Sequence, residues 1–161
     1  MSIETVRTYF RPLGRETDIL EFSESSATVE LAAQAVGVIP ARIAKSLSFL
    51  TPEGCVLIIA AGDARVDNSK YKHHFGVKAK MLTPEQVVEY TGHAIGGVCP
   101  FAISRPDVRI YLDISLQRFD TVFPAAGSAN SAIELTCAEL EQYACNCQGW
   151  ADLCKGWQTE E

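Results

Sequence analysis

The sequence predicts an α+β fold, and three observations carry that assignment. Short apolar runs with strand-like patterning and segments with helical spacing add up to about six to seven strands and four to five helices. They follow one another irregularly, unlike the strand–helix alternation of a doubly wound parallel sheet. No strand-like run leads into a Gly-x-Gly-x-x-Gly or Walker loop, so nothing marks a phosphate-cradling turn of that type.

Residues 2–13 place Ile3, Val6, Tyr9, Phe10 and Leu13 at three-and-four spacing, the apolar stripe of an N-terminal helix. Residues 18–22 read as a short strand. The polar turn 23–26 ends in Ser26, the expected N-cap of a helix that reaches Val36. Gly37 suits the left-handed position that closes this helix, and Pro40 opens a short turn toward Lys45. Residues 43–50 and 56–61, joined by Thr51-Pro52-Glu53-Gly54, form an expected hairpin. Asp67 caps a helix that stops before Gly76, and residues 77–82 return as a strand with Lys78 and Lys80 on one face. Thr83-Pro84-Glu85-Gln86 combines a capping box with proline at the first helical position, and Gly92 closes that helix. Residues 108–114, 121–125 and 131–135 are three further expected strands, and Thr136-Cys137-Ala138-Glu139 is a second capping box opening a helix to about Ala144. Beyond residue 146, Gly149, Gly156 and a charged end predict a loosely ordered tail.

A length of 161 residues fits one domain, and 47% hydrophobic against 21% charged residues is a globular balance. The longest apolar run, 56–61, is too short to cross a bilayer, and Met1-Ser2-Ile3-Glu4 has no signal-peptide character. The expected compartment is therefore the cytoplasm, where the six cysteines stay reduced. Cys137, Cys145, Cys147 and Cys154 cluster in sequence but lack zinc-knuckle spacing, so neither a metal nor a cofactor is expected. The net charge of -6 argues against broad nucleic-acid affinity and against DNA as a partner. Between residues 63 and 81, however, Arg65, Lys70, Lys72, Lys78 and Lys80 face only Asp63 and Asp67, a local balance of +3 in an otherwise acidic chain. Such a stripe is either a solvated face or a contact for a polyanion.

Two places look built for chemistry. In the first hairpin strand, Lys45, Leu47 and Phe49 share one face while Ala44, Ser46, Ser48 and Leu50 share the other. A lysine pointing where apolar residues point either snorkels to the sheet rim or is held by polar partners in a cleft. The other place is the turn Gly96-Gly97-Val98-Cys99-Pro100-Phe101, read as the floor of a site: glycines permit close approach of backbone to a ligand, and proline fixes the orientation of the loop amides. The three histidines, His73, His74 and His93, have no Gly-x-Ser-x-Gly elbow to serve, which argues against a serine hydrolase. A Cys99–His93 nucleophile competes with a reading of Cys99 as a buried spacer. Asp113 and Glu134 lie in apolar strands, where a carboxylate is either tuned for function or turned to solvent.

The Gly-x-x-x-Pro turn at Gly96–Pro100 stands downstream of Ile43-Ala44-Lys45-Ser46-Leu47 and Thr91-Gly92. It is followed by Ala125-Ala126-Gly127 and Ile133-Glu134-Leu135. In this order the segments resemble the YbaK/ProX family of aminoacyl-tRNA deacylases, over roughly residues 18–145. The resemblance implies a twisted mixed β-sheet curled toward a barrel and flanked by helices. It also implies hydrolysis of the ester that links a wrong amino acid to tRNA, by the freestanding type of the family. Its partners would be the aminoacylated acceptor end of tRNA and an aminoacyl-tRNA synthetase. On this resemblance Lys45 would hold the substrate carbonyl or terminal phosphate, the loop Gly96, Gly97 and Pro100 would position the ester, and Phe22, Phe101, Gly127 and Ala132 would form the side-chain pocket. The basic stripe would meet the tRNA. In the cysteine-specific branch an aspartate stands where this chain has Ala132 and a tyrosine where it has Phe22, a departure that speaks for a small uncharged amino acid instead. Two other readings stay open: a non-catalytic tRNA- or synthetase-binding domain of the same fold, and an ester hydrolase for a small molecule.

Overall fold

A computed structural model describes residues 2–158. In chain order it contains α1 (Ser2–Phe10), β1 (Ile19–Glu21), α2 (Val29–Val36), β2 (Ile43–Thr51), β3 (Gly54–Ala61), β4 (Arg65–Val66), α3 (Asn68–Phe75) and α4 (Pro84–Thr91). There follow β5 (Val108–Asp113), β6 (Thr121–Pro124), β7 (Ser131–Ile133), β8 (Leu135–Thr136), α5 (Cys137–Tyr143), β9 (Cys147–Ala151) and β10 (Cys154–Lys155). Six of the strands form one mixed sheet in the order β8-β6-β2-β3-β5-β9, curled into a half-barrel, with the pairs β1–β7 and β4–β10 at its margins. This is the α+β architecture the sequence predicts.

The hairpin is the centre of the sheet. β2 and β3 pair antiparallel with Lys45 opposite Ala60 and Phe49 opposite Val56, and β3 continues parallel into β5. Every residue of β3 is buried, as an uninterrupted apolar run in a central strand should be. Cys55, Leu57 and Ile59 face the main core with Val6, Phe10, Phe101, Ile110, Leu112 and Leu140. Val56 and Ile58 face the opposite layer, where Phe49, Tyr71 and Leu153 pack against α3. The capping signals hold locally: Thr83 and Thr136 each form the complete box with Gln86 and Glu139, and the Asp67 carboxylate accepts from the Ser69 and Lys70 amides.

Four local expectations are corrected. α2 is capped by Thr28, whose hydroxyl accepts from the Leu31 amide, while the Ser26 hydroxyl is drawn to the Ala129 carbonyl, 3.3 Å away. Residues 77–82 are extended but not a full strand. Only Met81 bridges to Phe49, with the Leu50 amide on the Lys80 carbonyl at 2.7 Å. The run 131–135 is split at Glu134, whose carboxylate accepts from the Thr121 hydroxyl at 2.6 Å. The segment after residue 146 is built into the fold: β9 extends the main sheet beside β5, β10 pairs with β4, and Leu153 and Cys154 are buried. Its apolar residues are too few and irregular to announce a strand. They find partners because the buried Asp113 carboxylate accepts the Leu153 amide at 2.8 Å.

Candidate active site

β6 pairs with β2 only at Ile43 and Ala44. Beyond that point the edge of β2 opens, and the space between it, the start of α2, residues 95–98 and β7 is a cleft of about 270 Å³. Val29, Ala32, Val87, Val98 and Ala132 supply apolar wall, and Ser26, Thr28, Lys45, Ser46, Ser48 and Ser131 supply the polar groups. Met81 and Ile95 stand at the rim, 66% and 61% exposed. Apolar lining with a few convergent polar groups is the usual make-up of a small-ligand site.

Lys45 lines the cleft and is held by polar partners rather than snorkelling to the sheet rim, though the partners themselves lie outside the cleft wall. Its ammonium donates to the Gly62 carbonyl at 3.3 Å and to the Ala64 carbonyl. Burial lowers its pKa below that of an ordinary lysine, partly opposed by the charges around it, Asp63 and Glu30 among them. Two of its three N–H donors are used in this way, which leaves one to point elsewhere. The turn that carries the two carbonyls is itself braced from behind. The Ala61 amide donates to the Ser115 hydroxyl at 3.1 Å, and the Ser115 and Leu153 amides donate to the two oxygens of Asp113 at 3.0 and 2.8 Å. Asp113 is therefore a fully buried structural acceptor rather than a solvent-face residue. Glu134, in contrast, lies outside the cleft and pairs with Arg42 at 3.5 Å.

The glycine loop divides into a part that faces the cleft and a part that anchors it. Gly96 lines the cleft at φ 96°, a left-handed backbone where a side chain would be strained. Gly97 is turned away: a Cβ there would come within 2.8 Å of the backbone of Gly127 and Ser128. The close approach it permits is therefore between two loops, and its amide is spent on the Ala94 carbonyl at 2.9 Å. Gly127 thus contributes as the surface on which Gly97 rests. Pro100 is buried and its carbonyl accepts from the Cys145 amide at 2.9 Å, pinning the loop to the segment after α5. His93, only 1% exposed, reaches the Phe101 carbonyl with Nε2 at 2.8 Å, and burial lowers its pKa. Cys99 lies 3.5 Å from the same nitrogen, fully buried outside the cleft, its thiol pushed up to about 12 by desolvation. A protonated thiol with no access is no nucleophile.

Of the four expected pocket residues, Ala132 lines the cleft and the other three do not: Gly127 lies behind Gly97, and the two aromatics are placed elsewhere. Phe101 is a core residue, its ring 4.9 Å from that of Phe10. Phe22 is half-buried on the β1 side, its backbone bonded to Asn130. Both aromatics are pocket residues only on the family resemblance, whereas ring volume draws Phe101 into the core. The hydroxyls of Ser46, Ser48 and Ser131 are among the cleft groups left out of the sequence-based candidates. For Ser46 and Ser48 the signal was present in β2, where they sit between Ala44 and Leu50 on a face that has nothing else polar. The Ser46 hydroxyl oxygen is buried with no hydrogen-bond partner among the described residues.

The basic stripe is not one surface. Lys70 is taken up by Asp152 at 2.8 Å and by the Cys154 carbonyl at 3.0 Å. Arg65, Lys72, Lys78 and Lys80 are exposed and make no ion pair among the described residues. Val77 and Ala79 turn inward beside α3, so Lys78 and Lys80 point out. Among the described residues no helix is long and apolar enough to cross a membrane.

Comparison with known proteins accords with this geometry. Residues 23–143 match the model of the aminoacyl-tRNA editing domain. The chain is 56% identical to the uncharacterized protein YwhH of Bacillus subtilis, over 98% of this chain and 100% of that one. It is 31% identical to the multifunctional Ser/Thr-tRNA deacylase ProXp-y of Escherichia coli over 91 residues, 55% of this chain and 54% of the relative, so that match spans about half of each. A solved structure described as a candidate trans-editing enzyme for prolyl tRNA synthetase superposes with a TM-score of 0.85 at 34% identity, covering 96% of this chain and 98% of the other. With residues 23–143 matching its model, this chain belongs to the aminoacyl-tRNA editing domain family.

Proposed function

We propose that this protein is a cytoplasmic hydrolase that acts in trans on misacylated tRNA, cleaving the ester between a small uncharged amino acid and the terminal ribose. The observation that carries the reading is the meeting of Lys45 and Gly96 on one cleft in a chain of this family. The free N–H of Lys45 binds the substrate carbonyl or the terminal phosphate. Gly96 and Val98, the loop residues on the cleft wall, present backbone donors to the oxyanion that forms when water adds to the ester carbon. Collapse of that tetrahedral species expels the ribose oxygen, which takes a proton and leaves as a hydroxyl. An aminoacyl ester is already activated, so holding it beside a water and stabilising the developing charge suffices. That demand suits a cleft with no accessible cysteine or histidine nucleophile among its walls.

Ser46, whose buried hydroxyl lacks a partner among the described residues, gains one when a substrate amine or hydroxyl enters, and Ala132 keeps the far wall small and uncharged. The relative described as a Ser/Thr-tRNA deacylase supports a small, hydroxylated or alanine-sized side chain. A larger one is rejected by overlap, the stronger form of discrimination by size. Purified protein assayed on tRNAs carrying alanine, serine, threonine, cysteine and leucine tests this directly. Release of a small amino acid well above spontaneous hydrolysis is expected. Binding without release would instead favour a non-catalytic tRNA- or synthetase-binding domain, and equal activity on short esters without tRNA would favour a small-molecule hydrolase.

A further inference from the structure

Lys45 stands on the boundary between two concavities. Besides the cleft, it lines a hollow of about 360 Å³ toward the α3 side of β2, and the two share Lys45, Leu47 and Met81. Arg65 and Asn68 supply the other polar walls of the hollow, and Leu47, Phe49 and Met81 an apolar one. We propose that this hollow is a second nucleotide subsite, which takes the cytidine and phosphodiester that precede the aminoacylated terminal adenosine. The inference rests on the deacylase reading, since it follows the tRNA chain outward from the ester.

Charge and shape favour this occupant. Arg65 is exposed without an ion pair among the described residues, and in the β4–β10 pair it stands opposite Lys155, itself exposed. Of the acids that act on Lys45, Glu30 lies on α2 and lines neither concavity, and the two beside the hollow are committed elsewhere. Asp63 is bound by Arg118 at 2.6 Å, and the Asp67 carboxylate accepts the α3 amides. A phosphate on the Lys45–Arg65 side of the hollow would therefore meet two cations and no uncompensated carboxylate, and guanidinium is well matched to phosphate geometry. A base laid against Leu47 and Met81 buries an apolar face, and the Asn68 amide offers a donor and an acceptor to its edge. The exposed Lys78 and Lys80 leave the same margin of the molecule, on the path a longer strand would take.

Amide chemical shifts during titration with adenosine and with the dinucleotide cytidylyl-adenosine, neither of which carries an ester, test the subsite without turnover. The dinucleotide is expected to bind roughly tenfold tighter, the value of about one charge-assisted contact, and to move the amides of Val66, Asn68 and Ala79 that adenosine leaves in place. Arg65→Ala should bring the two affinities together, and Arg65→Lys should restore most of the difference. Equal affinities, shifts confined to the cleft, or no binding of either ligand at millimolar concentration would overturn the proposal. Deacylation separates the two readings. Equal rates on aminoacyl-adenosine and aminoacyl-cytidylyl-adenosine would remove the subsite and leave the deacylase. Dinucleotide binding in the hollow by a protein that cleaves no aminoacyl ester would do the reverse.

Discussion

Replacing Lys45 separates what this residue does for stability from what it does for the reaction. Its ammonium is half-buried against two backbone carbonyls, and desolvation lowers its pKa, so in the native state the charge is held at a cost. Methionine, of similar length and with no charge, removes that cost and the hydrogen bonds together. Lys45→Met is therefore expected to unfold at the same or a higher denaturant concentration than wild type near neutral pH. The sign of the pH dependence follows from the direction of the shift. Between the depressed native pKa and the ordinary lysine value the unfolded chain binds more protons, so wild type gains stability as pH rises through that window. The advantage of the Met variant should accordingly shrink at alkaline pH. Turnover should move the other way. Loss of a charge-assisted contact made in the transition state costs about 2 to 4 kcal/mol, or roughly 30- to 900-fold in the single-turnover rate on a misacylated tRNA. Turnover within threefold of wild type by a folded Lys45→Met protein would refute the role given to this residue.

The remaining predictions concern the loop, the pocket and the charged surface. Gly97→Val should lose both activity and stability, because its Cβ has no room against the backbone of Gly127 and Ser128, whereas Cys99→Ser should keep turnover. An acyl-enzyme trapped on Cys99 would contradict this. Ala132→Leu should abolish cleavage of the small-amino-acid ester by filling the cleft, while Phe22→Ala should leave selectivity as it is, since Phe22 does not line the cleft; a widened substrate range in the Phe22 variant would disprove that placement. Charge reversal at Lys78 and Lys80 should weaken tRNA binding and flatten its salt dependence, as expected when phosphate contacts are lost. Lys70→Glu should instead lower the thermal midpoint, because Lys70 is bound to Asp152 and the Cys154 carbonyl.

Much of the local structure was legible in the sequence because its causes are local. The capping boxes at Thr83 and Thr136, the Asp67 cap and the glycine closures at Gly37, Gly76 and Gly92 each depend on side chains and φ angles within a few residues. The hairpin was equally plain, since two apolar runs with a Pro-Glu-Gly turn between them have few alternatives. Lys45 stood out by parity in its strand, and its position on one face with Leu47 and Phe49 is what the sheet realises.

What tertiary structure decided were matters of long-range pairing and of volume. Whether Gly97 meets a ligand or another loop depends on residues 127 and 128, which no local pattern connects to it. Phe101 and Cys99 went inward because a closed core must be filled, and Phe22 stayed at the β1 side because strand pairing with β7 took its neighbours there. The C-terminal segment gained order from a buried carboxylate forty residues earlier, which accepts the Leu153 amide and at the same time braces the turn that holds Lys45. Sequence periodicity reports which way a side chain points relative to its own strand or helix. Only the packed sheet determines what stands opposite it, and the chemistry of the cleft is made by that opposition.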